Sequence, residues 1–341
     1  MQIHYWDYGL VTKLKKTTTA YLLIFFNKRI YINIRIRIIM KTIVIALGGN
    51  ALLQRGEILS AENQYKNIEL MSETINKLAK EYRVVLVHGN GPQVGLLALQ
   101  NLAYQAVPAY PLDILVAESQ GMIGYMMMQK INQNNPNQAI TTVMTRVSVD
   151  INDEAFNDPS KFIGPIYDEA DKEELIAKYQ WTFKQDGKHY RRVVPSPTPK
   201  KIIDIEAVRL LLDKGHIVIC GGGGGIPVNN TNNEFIGSEA VIDKDLTAAL
   251  ISRELNAEHF VILTEADAIY KNWGTPEQAA IREATPEELA PMAVADGAMG
   301  PKKIMAVSDF VNATGQQAHI GALQNIQQVI EGQSGTLIYK S

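Results

Sequence analysis

The feature that most limits what this chain can fold into is a recurring one: short apolar runs that stop abruptly at glycine and asparagine. Residues 41–51 read Lys-Thr-Ile-Val-Ile-Ala-Leu-Gly-Gly-Asn-Ala, and Ile43 to Leu47 show no alternation of polar and apolar faces. Such a run suits a strand covered on both sides, as in a parallel sheet. Parallel sheets place ligands at the carboxyl ends of their strands, where Gly48, Gly49 and Asn50 stand. Glycines let backbone N–H groups approach an anion closely, and asparagine adds a side-chain donor. Taken alone the pattern also describes a tight turn. Its repetition gives it weight.

A second run, Arg-Val-Val-Leu-Val-His at 83–88, enters His-Gly-Asn-Gly-Pro-Gln-Val-Gly at 88–95, with Pro92 at a helix N1 position. A third, at 216–220, runs into five glycines at 221–225. Glycine costs about 0.5–1 kcal/mol relative to alanine in regular structure, so such a string reads as a loop lying against a ligand or another backbone. Helical patterns separate these runs. Ser60 opens one with Ile68, Met71, Ile75 and Leu78 on one face, and residues 113–133 form an apolar helix whose Gly121 and Gly124 allow close packing or subunit contact. Met126 to Met128 read as core or interface filler. Residues 139–149 read as another strand, 204–214 and 246–255 as helices, and 258–264 as a strand before an acidic loop. The alternation predicts an α/β fold, a three-layer αβα sandwich around a mainly parallel sheet. The rhythm breaks at residues 150–200, which carry turns, a short acidic helix and a returning strand, and read as a projecting insertion.

Composition sets outer limits. With 341 residues and 46% apolar content a large core is available. Residues 1–39 hold seven Lys/Arg against Asp7, which leaves residues 40–341 with 26 basic and 35 acidic groups, net −9. That balance argues against a nucleic-acid partner. Cys220 is the single cysteine, so no internal disulfide forms and a cytoplasmic location is expected. Residues 1–39 alternate isoleucine with arginine without caps or turn signals, and their longest apolar run, Ala20 to Phe26, is too short to span a bilayer. They read as an extension outside the fold, with Met40 as the true start and a basic targeting segment as the rival. No membrane partner is expected.

The candidate chemistry lies in isolated charges near glycine ends. Lys244 and Asp245 stand at a helix start, and residues 297–303 open another helix with Lys302 and Lys303 as two candidate cations. A surface ion pair would explain Lys244 and Asp245, but so would a cation for phosphoryl charge beside a carboxylate that orients lysines or metal. No Walker motif, GxGxxG, protein-kinase catalytic loop or His/Cys metal cluster is present, and nothing marks a serine or cysteine nucleophile. Glycine loops with lysines and aspartates are the equipment of phosphoryl transfer by positioning and charge neutralisation.

These residues also carry a resemblance. ALGGNAL at 46–52, HGNGPQVG at 88–95, AESQGMIGYM at 117–126, GGGGIPV at 222–228, AVIDKDL at 240–246 and MGPKK at 299–303 resemble carbamate kinase, a family of the amino-acid kinase superfamily, over residues 40–341. The resemblance implies an eight-stranded sheet, a homodimer, and exchange of MgATP plus carbamate with MgADP plus carbamoyl phosphate, often in the ATP-forming direction. It implies a substrate-side lobe at 40–228 with the insertion 150–200, and a nucleotide-side lobe at 229–341. Gly48, Gly49 and Asn50 would hold the transferred phosphoryl, and Gly89, Asn90 and Gly91 the carbamate end. Lys161, Lys244 and Lys302 match family lysines around the phosphates, with Asp245 holding the lysines. Gly222, Gly223, Asp267, Tyr270, Met299, Gly300 and Pro301 are expected at the nucleotide. Mg²⁺ is expected through the nucleotide phosphates, without a dedicated protein cluster.

Relatives such as acetylglutamate kinase carry a lysine where this chain has Ala46, and Lys161 would supply that charge from the insertion. Glu265, Ala298 and Thr198 depart from the family's usual Asp, Ser and Lys; the first is one methylene longer, which bears on nucleotide or metal geometry. Phosphorylation of another small carboxylate and a non-catalytic nucleotide-sensing role are the competing expectations.

Overall fold

Successive residues of each central strand enter opposite apolar layers, which is why the strands show no polar face. The structure is a computed structural model and describes residues 40–54, 56–231, 234–293 and 300–341. Residues 1–39, and their reading as an extension, lie outside the described residues. In β1 (Thr42–Leu47) Ile43, Ile45 and Leu47 enter one layer while Val44 and Ala46 enter the other. The other strands of the main sheet are β2 (Arg83–His88), β3 (Ile140–Thr142), β4 (Ile217–Ile219), β5 (His259–Thr264), β6 (Glu283–Ala284), β7 (Gln317–Ala322) and β8 (Thr336–Ile338). Their order is β6-β8-β7-β5-β1-β2-β4-β3, parallel except between β7 and β8. The three glycine-rich ends therefore leave adjacent strands β1, β2 and β4 at one edge.

The described helices are α1 (Ala61–Leu78), α2 (Gly91–Ala103), α3 (Leu112–Asn134), α4 (Glu169–Tyr179), α5 (Ile205–Asp213), α6 (Lys244–Glu254), α7 (Pro286–Leu289), α8 (Pro301–Thr314) and α9 (Ile326–Ile330). α1 is capped by the Ser60 hydroxyl and buries Ile68, Met71, Ile75 and Leu78, the predicted stripe. With α3 and α9 it covers the Ile43 side of the sheet; α5, α6 and α8 cover the Val44 side, where Phe260 and Phe310 meet edge to face at 5.5 Å. Gly124 brings α3 against β3, since a Cβ there would lie 2.4 Å from Thr142.

The strand expected over 139–149 is two strands in different sheets. Ile140–Thr142 stays in the main sheet, while Arg146–Ser148 joins a second sheet ordered Glu234–Gly237, Ile226–Thr231, Arg146–Ser148, Lys201–Ile202. Between them Gln120 on α3 accepts the Thr145 N–H at 2.9 Å, which turns the chain out of the first ladder. The insertion is a three-stranded antiparallel sheet, Lys161–Tyr167, Thr182–Asp186 and His189–Val194, with α4 beside it. α4 buries none of its residues. Aromatic and cation–π contacts hold this unit instead, with Tyr179 stacked on Trp181 at 5.1 Å and Arg192 over Trp181 at 4.0 Å.

Candidate active site

At the end of β1 the Gly48 N–H donates to the Leu263 carbonyl at 2.9 Å, and a Cβ on Gly48 would lie 2.8 Å from that same oxygen. Glycine is required by this approach. Gly49 and Asn50 then turn in the 3₁₀ segment Gly49–Ala51, beside a cavity of about 600 Å³ lined by Gly48, Gly49, Lys244, Glu265, Lys303 and Gln324 among others.

The second loop lies beside the first. His88 is buried and its Nδ1 donates to the Gly89 carbonyl at 2.9 Å, since a carbonyl only accepts. Burial pushes its imidazole down to about 4, helped by the Lys244 charge and opposed by that hydrogen bond. Asn90 donates to the Ser119 hydroxyl at 2.8 Å, and Gly91 opens α2 ahead of Pro92. The third loop packs under the second. A Cβ on Gly222 would stand 2.3 Å from His88 Nε2, and one on Gly223 2.1 Å from the Asn90 amide. Gly222 and Gly223, expected at the nucleotide, are therefore buried against the second loop and do not line the cavity with Gly48 and Gly49. The physical reason is that the His88 and Asn90 side chains fill the space in which side chains at 222 and 223 would stand.

Two carboxylates at the head of α6 divide four lysines. Asp245 accepts from Lys244 at 2.5 Å and stands 3.7 Å from Lys303. Asp243 accepts from Lys161 at 2.7 Å. Burial alone would raise the Asp243 carboxyl, but the charges of Lys161, Lys302 and Lys244 and the Lys161 hydrogen bond outweigh it and hold the group well below the usual range. Lys302 donates to the Ser196 hydroxyl at 3.0 Å, and its ammonium is lowered by burial, with Asp243 and Asp153 opposing and Lys161 assisting.

Lys161, Lys244, Asp245 and Lys302 thus meet at one helix start. Lys303, the other candidate cation at the start of α8, joins them, and so does Asp243, which had not been singled out; the Asp-Lys-Asp spacing at 243–245 was the available signal. Farther out, the Tyr270 hydroxyl donates to Asp267 at 2.6 Å, and its ring lies 5.3 Å from that of Trp273. Gly300, with φ +73°, caps the start of α8 ahead of Pro301. Met299 lies outside the described residues. Among the described residues no three His, Cys, Asp or Glu side chains group to hold a metal ion.

A sequence profile of the amino acid kinase family matches residues 41–322. Carbamate kinase of Escherichia coli O6:H1 is 59% identical over 299 residues, covering 88% of this chain and 99% of its own. Carbamate kinase of Rhizobium meliloti is 49% identical, covering 88% and 93%. The chain belongs to the amino acid kinase family, among its carbamate kinases. Solved structures of the family agree in fold: Giardia lamblia carbamate kinase bound to citric acid superimposes with a TM-score of 0.84 at 38% identity, over 89% of this chain and 99% of that one. The same enzyme bound to AMP-PNP gives 0.81 at 37% identity over the same shares. As a member of this family the chain is a phosphotransferase.

Proposed function

We propose that the chain transfers a phosphoryl group reversibly between ATP and carbamate, running toward ATP from ADP and carbamoyl phosphate. The observation that carries this is the set of lysines held by Asp243 and Asp245 beside two glycine-rich strand ends. In the ATP-forming direction a β-phosphate oxygen of ADP attacks the phosphorus, the bond to the carbamate oxygen breaks, and carbamate leaves with the electron pair. Little covalent work falls to the protein. Positioning and charge neutralisation carry the rate.

In this reading the backbone of Gly48, Gly49 and Asn50 holds the transferred group, and Gly89, Asn90 and Gly91 hold carbamate. Lys161, Lys244 and Lys302 neutralise the moving charge, with Lys303 added by its place in the cavity wall. Asp245 sets the direction of Lys244. Asp267, Tyr270, Met299, Gly300 and Pro301 take the nucleotide, a role supported by the AMP-PNP bound by the Giardia relative. The donor set fits a Mg²⁺ that arrives on nucleotide phosphates: Asp245 is engaged by two lysines, and Glu265 is the carboxylate lining the cavity. When bound, that ion would neutralise phosphate charge.

A homodimer is part of the proposal. Tyr104, Val107, Tyr110, Ile114, Met122 and Tyr125 are exposed along α3 and the link that precedes it, an apolar content that suits a second copy. No helix among the described residues is long and apolar enough to cross a membrane, and the buried single cysteine suits the cytoplasm. The deciding experiment is a coupled assay of ATP formation from ADP and carbamoyl phosphate, with acetyl phosphate beside it. ATP from the first donor alone is expected. No ATP from it, or equal rates with both, would overturn the assignment.

A further inference from the structure

Asp243 uses its two carboxylate oxygens for different tasks. Oδ1 accepts the Asp245 N–H at 3.0 Å and caps α6, while Oδ2 accepts from Lys161 Nζ at 2.7 Å. The second bond spans 82 residues and joins the first strand of the insertion to the helix that carries Lys244 and Asp245. The two side chains are 25% and 10% exposed, so this pair is shielded from the solvent that makes most surface pairs interchangeable. A cap needs one oxygen, and serine or asparagine supplies it equally well. A buried carboxylate is favourable only with cations against it.

We propose that Asp243 is a positioning residue that fixes Lys161, and with it the root of the insertion, against the glycine loops. This rests on the phosphotransfer reading above. Lys161 starts a strand whose companion, His189–Val194, leads directly to Ser196, the partner of Lys302. Asp243 therefore ties the base of the insertion at its first strand, and its charge also acts on Lys302, which holds Ser196 beyond the last strand. Among the described residues Asp243 is the carboxylate paired with Lys161, so without its negative charge Lys161 would turn toward water.

Asp243→Asn separates the two tasks. Its amide oxygen still caps α6, whereas its NH₂ would face the Lys161 ammonium, donor against donor. We expect a folded variant whose kcat falls about 10²-fold, the scale on which a small misplacement of a reacting group costs, with KM for ADP unchanged. On this background Lys161→Ala should add less than about twofold, because both changes remove one interaction. The basic limb of the rate profile should move to lower pH, because Lys302 then keeps Lys161 and Asp153 as charged neighbours but loses the Asp243 anion.

A further measurement does not use activity. Reductive methylation followed by mass spectrometry should label Lys161 several-fold faster in the variant than in the wild type, with exposed Lys77 as the internal reference. Equal labelling of Lys161, or fully additive losses in the double variant, would overturn the proposal. If wild-type protein makes no ATP from carbamoyl phosphate, the functional reading fails, and the labelling still decides whether Asp243 holds Lys161. Should Asp243→Asn not fold, Asp243→Ser, which also caps, carries the same comparisons.

Discussion

Gly95 on α2 and Gly164 in the insertion meet backbone to backbone: a Cβ added to Gly95 would lie 2.0 Å from the Gly164 Cα. Gly164 has φ +70°, a conformation that disfavours other residues, so the partner cannot easily reshape itself. Nearby, a Cβ on Gly91 would lie 3.6 Å from the Phe162 carbonyl, so the same strand roofs the second glycine loop. Gly95→Ala must therefore push the insertion off its seat. The expected cost is about 1–3 kcal/mol of stability by overpacking, with KM for carbamoyl phosphate rising more than KM for ADP. Thermal melts and steady-state kinetics check both; an alanine variant with wild-type melting and KM values would show that the seat yields without consequence.

Lys161→Ala tests the charge that the insertion delivers. Ala46 leaves β1 without a cation of its own beside Gly48 and Gly49, so in the proposed reading the insertion's lysine adds to the charge of Lys244, Lys302 and Lys303. Turnover should drop roughly 10²–10³-fold, the scale for removing one preorganised electrostatic partner, with ADP affinity nearly unchanged and thermal stability lowered because the buried Asp243 carboxylate loses its direct cation. Single-turnover rates and calorimetric ADP binding separate the outcomes. Wild-type turnover would remove Lys161 from the chemistry, and an equal loss of ADP binding would make it a nucleotide ligand.

Much of the fold was legible because it rests on local patterns. The unalternating run Ile43 to Leu47 needed two apolar layers and has them, and the α1 stripe needed only helical periodicity. The break inside residues 139–149 was not legible, because Gln120, a residue of another helix, directs it. In the site, glycine at strand ends marked the right edge of the sheet. That Lys302 meets Ser196 while Lys303 meets Asp245 was hidden, since adjacent helical residues point about 100° apart and their partners come from distant segments. The pentaglycine string reads as a loop against a ligand or another backbone, and much of its lack of side chains is explained by the crossing with His88 and Asn90.

Chelation should abolish turnover without unfolding the protein. In the proposed reading Mg²⁺ arrives on the nucleotide phosphates, since such an ion typically keeps several waters and takes only one or two carboxylates from a protein. EDTA is expected to stop ATP formation, with excess Mg²⁺ restoring it, and to leave the melting temperature of nucleotide-free protein unmoved. A sharp fall in that temperature would reveal a structural ion.

Acid should destabilise the protein well above the carboxylate range. His88 and His319 are both buried, and burial pushes each imidazole from 6.5 down to about 4; the neighbouring charges of Lys244 and His259 add to the effect at His88 and His319 respectively. The sign follows from proton uptake. Unfolded chain takes up a proton on each histidine near pH 6.5, whereas folded chain resists until about 4, so stability is full above the first value and declines as pH falls toward the second. At pH 5.5 the loss is about 1.4 kcal/mol per histidine, roughly 3 kcal/mol for the pair. Asp243, whose carboxyl is held low, adds its own loss only as pH falls below the ordinary carboxylate value. Denaturant titrations of nucleotide-free protein between pH 4 and 7 measure the slope, and His319→Leu should reduce it by about half, whatever the substitution does to absolute stability. An unchanged slope in that variant would mean that His319 takes up its proton equally in the folded and unfolded chain.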